Sequence, residues 1–349
     1  MRKKVFFIIS SLNAGGAEKV FWLLSQYFDK SLYEVNIVLL NGKKIFFSQS
    51  LEDINLIDLG TKKASLSFFK LYSLLKKEKP HAIFTTGGQI NALMGFTSFF
   101  IKVPNLIARP ANVADLSLTS IKAKLLSYFL KISYNRFHTI ICQSKEIKDS
   151  LLKTYSMSPQ KMVIIPNPVL PSGNEKNCKN KSEKRIVMVG RLAKQKGHER
   201  FLDIFKQLPD NYKLTIAGDG PLRSVIEEKI KNLQISSRVT MLGLVSGVTN
   251  IVAKHEVFAL PSFFEGFPNA VVESLSVGTP VVAFNVGGIT EIIKNDFNGY
   301  IIQQNDLEAF KAAIVKALNK EWDYSAIQKD VSERFSVRTI VDNYQKLIA

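Results

Sequence analysis

Short, continuous apolar runs recur along this chain, and nearly every one is followed by a segment with helical spacing. Val5–Ser11 precedes Ala17–Phe28, where Val20, Leu23, Leu24 and Tyr27 recur at helical intervals. Glu34–Leu40, Ala82–Thr86, Leu106–Ala108 and Thr139–Gln143 repeat the strand-like run, and Ser65–Lys79, Gln89–Ile101, Ile121–Phe137 and Lys145–Tyr155 repeat the helical one. Runs that stay apolar at successive positions belong to strands covered on both faces, as in a parallel sheet. Parallel neighbours need long crossovers, usually helices, so the alternation predicts a doubly wound α/β architecture.

The pattern breaks once. Residues 167–184 (NPVLPSGNEKNCKNKSEK) are rich in Pro, Asn, Lys and Ser and have no periodicity, which reads as a linker. Alternation resumes at Ile186–Gly190 and continues through Leu214–Ala217, Val239–Leu242, Val257–Leu260, Pro280–Phe284 and Tyr300–Ile302. The expected organisation is a Rossmann-like domain over 1–166, a linker over 167–184, a second Rossmann-like domain over 185–335, and a last helix within 336–349 that crosses back to the first domain. A ligand shared by two such domains would lie in the cleft they face, at the C-terminal ends of their strands, and the halves would hinge at the linker.

A length of 349 residues suits two domains, and 46% hydrophobic content excludes wholesale disorder. Two cysteines, Cys142 and Cys178, cannot build a disulfide framework and suit a reducing compartment. No apolar run reaches the length of a spanning helix. The start imitates a signal peptide, but its apolar run is short, so it is expected to be the first strand of a cytoplasmic protein. The formal charge of +17 is lopsided: residues 1–166 hold 23 Lys and Arg against 10 Asp and Glu, while residues 185–349 hold 20 against 18. Such asymmetry points to an anionic partner: nucleic acid, a membrane surface or a phosphorylated substrate.

Three segments can carry chemistry. Gly15 and Gly16 stand between the first strand and its helix. They suit an anion at a helix N-terminus, or simply a tight turn. Gly190 ends the strand at 186–190, and Arg191 and Lys196 follow it. Two cations at a strand end can reach one diphosphate, or merely solvate a loop. Glu265, Phe267, Pro268, Asn269, Ala270 and Glu273 follow the strand at 257–260. Backbone N–H groups there can cap a phosphate, and carboxylates suit vicinal sugar hydroxyls. Neither a G-x-G-x-x-G nor a P-loop sequence occurs.

Together these residues resemble the GT-B glycosyltransferases, specifically the retaining family 4. The resemblance runs nearly end to end through Gly15-Gly16-Ala17-Glu18, Pro166-Asn167-Pro168, Gly190-Arg191-Leu192 with Lys196-Gly197, Gly218-Asp219-Gly220-Pro221, Leu242-Gly243, Glu265-Gly266-Phe267-Pro268 with Glu273, Gly278-Thr279-Pro280 and Gly287-Gly288 with Glu291. It implies that Arg191 and Lys196 clamp the donor diphosphate. Glu273 would bind the nucleotide ribose and Glu265 the transferred sugar. Phe267–Ala270 would supply backbone contacts, Gly16 would let its loop close over the diphosphate, and Leu242-Gly243 would lie beside the base. It also implies a nucleotide-sugar donor, UDP-linked foremost, and front-face transfer with retention. No D-x-D triplet occurs, and Arg191 and Lys196 can replace a metal, so neither metal nor cofactor is expected.

One departure concerns the histidine that many relatives carry near the reacting sugar. Here the corresponding loops hold Asn91, Arg109 and Asn112, which become acceptor-side candidates. His81 begins its strand, away from that end, and is expected to be structural. A buried Arg109 would need an anionic partner, either an acceptor phosphate or a structural carboxylate. Aromatics and lysines over Ser65–Lys79 and Ile121–Phe137, including Phe68, Phe69, Tyr72 and the stripe Lys124, Tyr128, Lys131 and Asn135, suit an anionic membrane surface. The expected protein is a cytoplasmic glycosyltransferase, peripheral at the inner face of the membrane, acting on a lipid-linked or growing saccharide in polysaccharide assembly. A GT-B-shaped nucleotide-sugar epimerase is the alternative. A basic nucleic-acid-binding module is more remote, because no nucleic-acid motif is present.

Overall fold

The computed structural model describes residues 2–42, 45–47, 53–61, 63–110, 121–155, 157–171, 176 and 183–349. The chain divides into two units, Met1–Pro168 with Val337–Ala349, and Val169–Ser336.

The first unit is built on seven strands: β1 (Lys3–Ile9), β2 (Tyr33–Leu39), β3 (Asn55–Asp58), β4 (Ala82–Thr86), β5 (Asn105–Arg109), β6 (Thr139–Cys142) and β7 (Met162–Ile164). All pair in parallel, in the order β3-β2-β1-β4-β5-β6-β7. The order reverses direction between β1 and β4, which makes that junction the topological switch point. β1 is apolar at successive positions because both its faces are covered: Phe6 and Ile8 enter one core, while Phe7 stacks on Phe84 at 5.1 Å and meets Phe21 and Phe28 edge-on. The helix Val337–Lys346 belongs to this unit. It packs on the helix Gly16–Tyr27 and seats a fully buried Tyr344 against Phe84. The edge strands β3 and β7 have no counterpart in the sequence pattern. Each is short and partly exposed, so neither needs a long apolar run.

The second unit contains β8 (Lys184–Val189), β9 (Tyr212–Ala217), β10 (Val239–Gly243), β11 (Val257–Leu260), β12 (Val281–Phe284) and β13 (Gly299–Ile302), ordered β10-β9-β8-β11-β12-β13 and parallel throughout. Its core contains Val187, Phe201, Phe258, Val271, Phe284 and Phe310. Here the switch point lies between β8 and β11. Because every strand runs the same way, all strand C-termini emerge on one edge of the sheet.

The segment 167–184 is not a free linker at the ends that are described. Asn167 accepts a hydrogen bond from the Arg109 guanidinium within the first unit. Val169 is buried in the second unit's core, and its N–H donates to the Phe335 carbonyl at 2.8 Å. Lys176 donates to the His255 carbonyl and to Thr279 Oγ1. Apolar burial and satisfied polar groups tie each end to its own unit and put the division at Pro168–Val169, against the composition of the sequence.

Candidate active site

In the second unit, the C-terminal edge of the sheet gathers most of the residues singled out from sequence. Gly190 and Arg191 follow β8, Leu242 and Gly243 end β10, and the loop bearing Glu265 follows β11. Leu242 is exposed, and the Gly243 carbonyl accepts from Gly218 N–H at 2.7 Å, which ties the end of β10 to that of β9. Arg191 is exposed, and no side chain among the described residues holds its guanidinium. Gly190 lies against the aliphatic stem of Lys196: a Cβ there would sit 3.7 Å from its Cδ and Cε.

An ion pair on this edge joins residues 69 positions apart. Lys196 Nζ donates to Glu265 Oε1 at 2.7 Å and to Oε2 at 2.9 Å. Ser262 Oγ donates to Glu265 Oε1 at 2.6 Å. Glu265 is only 8% exposed, so its negative charge is matched by one cation and one hydroxyl, as burial requires. The sequence reading set Lys196 and Arg191 on one diphosphate; in the structure the Lys196 ammonium also meets Glu265.

The backbone of the Glu265 loop is clamped from outside. Arg200 Nε donates to the Pro261 carbonyl at 2.6 Å, and its Nη2 to the Ser262 carbonyl at 2.5 Å. The guanidinium lies 3.9 Å from the Phe263 ring centre and 4.1 Å from that of Phe284. Gln304 adds donations to the Ser262 and Phe263 carbonyls and accepts from Arg200 Nη1. Two glycines complete the seat. Gly197 has φ +66°, and a Cβ there would come within 2.0 Å of the Pro261 carbonyl. Gly287 has φ +56°, and a Cβ would come within 2.6 Å of the Glu265 and Gly266 carbonyls. Arg200 and Gln304 are absent from the sequence reading, which gave Ser262, within the same motif, no role. Arg200 sits one helical turn after Lys196, but no local pattern distinguishes it from a solvated arginine.

The helix Asn269–Ser276 opens this loop's far end. Pro268 provides no side-chain cap, and Asn269 and Ala270 in the first turn are half-buried, an arrangement suited to an anion. Glu273 is partly exposed one turn further on. The Phe267 side chain points into the core, 6.0 Å from Phe335, so only its backbone is available to a ligand. His198, next to Gly197, is buried. Desolvation, with the Lys196 charge adding to it, lowers its pKa to about 4. It is therefore neutral at pH 7.

In the first unit, Gly15 caps and Gly16 begins the helix Gly16–Tyr27 beyond the C-terminal end of β1, with Gly16 exposed. The acceptor-side candidates fare differently. Arg109 is 2% exposed and donates to Thr86 Oγ1 and Asn167 Oδ1. Its pKa is lowered by burial, while Tyr344 and the Glu18 carboxylate favour its charge. Burial raises the pKa of Glu18, and the Arg109 charge opposes that shift, without a direct contact between the two side chains. Asn91 is 0% exposed: Oδ1 accepts from Thr85 Oγ1 at 2.8 Å, and Nδ2 donates to Tyr134 OH. Both are internal supports, which corrects their assignment to an acceptor. Asn112 lies outside the described residues. His81 braces the first unit, with Nε2 2.9 Å from the Ile348 carbonyl.

What the sequence left unnoticed is a cavity of about 570 Å³ at the first unit's switch point. Ser10, Asn13, Asn41, Thr86 and Gln89 line it, together with Lys63. Leu40, Ala64 and Ile90 add apolar wall, and hydroxyls and amides on an otherwise apolar wall suit a saccharide.

Comparison with known proteins agrees with this geometry. The profile of the family described as Glycosyl transferases group 1 matches residues 173–334, and that of Glycosyltransferase Family 4 matches residues 14–172. The UDP-Gal:alpha-D-GlcNAc-diphosphoundecaprenol alpha-1,3-galactosyltransferase of Escherichia coli is 31% identical, over 72% of this chain and 69% of that protein. A Campylobacter jejuni enzyme, GalNAc-alpha-(1->4)-GalNAc-alpha-(1->3)-diNAcBac-PP-undecaprenol alpha-1,4-N-acetyl-D-galactosaminyltransferase, is 29% identical over 99% of this chain and 98% of its own. Among solved structures, HepE of Anabaena in complex with UDP-glucose superposes with a TM-score of 0.83 at 18% identity, covering 98% of each chain. The chain therefore belongs to the group 1 glycosyltransferases and has the GT-B fold.

Proposed function

We propose that this glycosyltransferase moves a hexose-type sugar from a UDP-sugar to a lipid-linked saccharide, with retention and without a metal, at the inner face of the membrane. The observation that carries the reading is the buried Glu265 held by Lys196 and Ser262, beside the exposed Arg191 and the uncapped helix at Asn269. A departing nucleoside diphosphate gains negative charge. Arg191, Lys196 and the first-turn N–H groups of Asn269 and Ala270 stabilise that charge without reorganising, in the role a metal would otherwise fill. Glu265 then accepts hydrogen bonds from hydroxyls of the transferred sugar, and Glu273 from those of the ribose. Gly15 and Gly16 contribute backbone N–H groups to the diphosphate, and Leu242 and Gly243 border the base. The acceptor saccharide enters the cavity around Asn13, Asn41 and Gln89. The UDP and lipid-diphosphate assignments draw support from the names of the E. coli and C. jejuni relatives.

The test is transfer of labelled sugar from UDP-sugars to lipid extracts, with EDTA present throughout and the anomeric configuration of the product read by NMR. Glu265→Ala is expected to lower transfer at least about a hundredfold. Wild-type activity in that variant would sink the site assignment. Incubation with donor alone should leave the sugar unchanged; its conversion would indicate an epimerase.

A further inference from the structure

The first unit leaves an unusual concentration of apolar surface uncovered. Of the 21 large hydrophobic side chains exposed among the described residues, nine fall between residues 66 and 132. Phe69 is 80% and Tyr128 62% exposed. The exposed side chains connect. Phe68 touches the rings of Phe69, Tyr72, Phe96 and Phe100, with centres 5.2 to 6.2 Å apart. Next to Phe100, Phe99 lies 4.6 Å beneath the guanidinium of Arg136, which also donates to the Ser98 carbonyl at 3.1 Å.

Arg136 ends the helix Ile121–Arg136, whose outward stripe is Leu125, Phe129 and Ile132 at helical spacing, with Tyr128 beside it. That helix turns its other side, through Leu130 and Ser133, to the helix Gly88–Thr97. The approach is so close that a Cβ on Gly95 would fall 2.3 Å from that of Ser133. The apolar stripe is therefore the face left over after the core is satisfied. Tyr128, Lys131 and Asn135 of the stripe expected from sequence are exposed as well.

Charge identifies what covers this face. Residues 64–108 and 121–138 hold nine Lys and Arg and one acidic residue, Glu78, which Lys4 neutralises at 2.7 Å. A second copy of the chain would bring two strongly cationic rims together. A bilayer carrying anionic lipid offers hydrocarbon to the rings and negative charge to the lysines. Aromatic rings settle at the headgroup level. We propose that the face formed by Phe69, Phe96, Phe99, Phe100, Tyr128 and Phe129 is a membrane-docking surface for anionic lipid. This deepens the lipid-linked acceptor reading and rests on it for its purpose, though not for its test.

The test is flotation of the full chain with vesicles of phosphatidylcholine alone or mixed with phosphatidylglycerol, with no donor or acceptor present. The wild type should float with the mixed vesicles, weakly with phosphatidylcholine alone, and less as salt is raised. Phe69→Gln/Phe99→Gln/Tyr128→Gln should bind about tenfold more weakly or worse. Its melting temperature and its transfer to a water-soluble acceptor should stay unchanged. Lys77→Glu/Lys131→Glu, which spares every ring, should lose about fivefold or more for each site. Absence of wild-type binding, or equal binding by both variants, overturns the proposal. So does a dimer in sedimentation that the aromatic variant dissolves while vesicle binding is unchanged. A wild type that floats but transfers no sugar counts against the transfer reading alone.

Discussion

At the scale of single residues, the candidate site depends on a buried carboxylate whose position is set by groups that do not face the ligand. The Glu265 carboxylate accepts from Lys196 and Ser262. It keeps its place because Arg200 and Gln304 hold three consecutive carbonyls of its loop, those of Pro261, Ser262 and Phe263. Arginine suits this task through its planar fork and its stacking between Phe263 and Phe284, neither of which lysine reproduces. Arg200→Lys preserves the charge, so it separates geometry from electrostatics. The expected result is a kcat lowered about tenfold with a smaller change in donor KM, since about an ångström of misplacement is enough to cost such a factor. Steady-state kinetics over a range of donor concentrations checks it, and a change confined to KM would contradict the positioning role.

At the scale of elements, the strand-to-helix connections do the functional work, and glycine makes them possible. Gly197 stands between the Lys196 turn and the helix His198–Lys206 in a left-handed conformation, directly under the Pro261 carbonyl. Gly197→Ala adds a strained φ and a clash with backbone that cannot rotate away. The expected loss is at least about 2 kcal/mol in urea unfolding, with donor binding weakened in parallel. Elements also show where sequence patterns are legible. The central strands β1, β4, β8, β11 and β12 are apolar runs because two layers of helix cover them, and they stand out in the sequence. The edge strands β3 and β7 do not, since half their surface faces outward. The helix expected over Gln89–Ile101 stops at Thr97, and Ser98–Phe100 continue as turns. Phe99 and Phe100 continue the apolar spacing there, but each stays more than half exposed.

At the scale of the whole molecule, burial sets how the protein responds to acid. Desolvation lowers His198 and His255 to about 4, with Lys196 adding to the effect at His198 and the Ile251 carbonyl opposing it at His255. An unfolded histidine takes up its proton near 6.5, so between about pH 6.5 and 4 the unfolded chain binds more protons than the folded one. Stability therefore falls as pH drops through that window, by up to about 3 kcal/mol for each histidine. Unfolding in urea at pH 7 and at pH 5 should show this loss. His198→Leu should make it shallower, because the variant removes one of the two groups; an unchanged slope would exclude the contribution of His198.

What the sequence by itself determined is whatever depends on near neighbours along the chain. The alternation of buried runs and helical segments specifies two doubly wound units. The glycines and charged residues after the strands mark one edge of each sheet, because parallel strands deliver every C-terminus to the same side. Tertiary structure decided which of those residues meet. It paired Lys196 with Glu265 across 69 positions. It spent Arg109 on Thr86 and Asn167, and it closed Asn91 inside the first unit. It left the rings from Phe69 to Phe129 uncovered. The physical reason is the same in each case: a charge or an apolar face is satisfied by whatever group folding brings next to it, and that neighbour is distant in sequence.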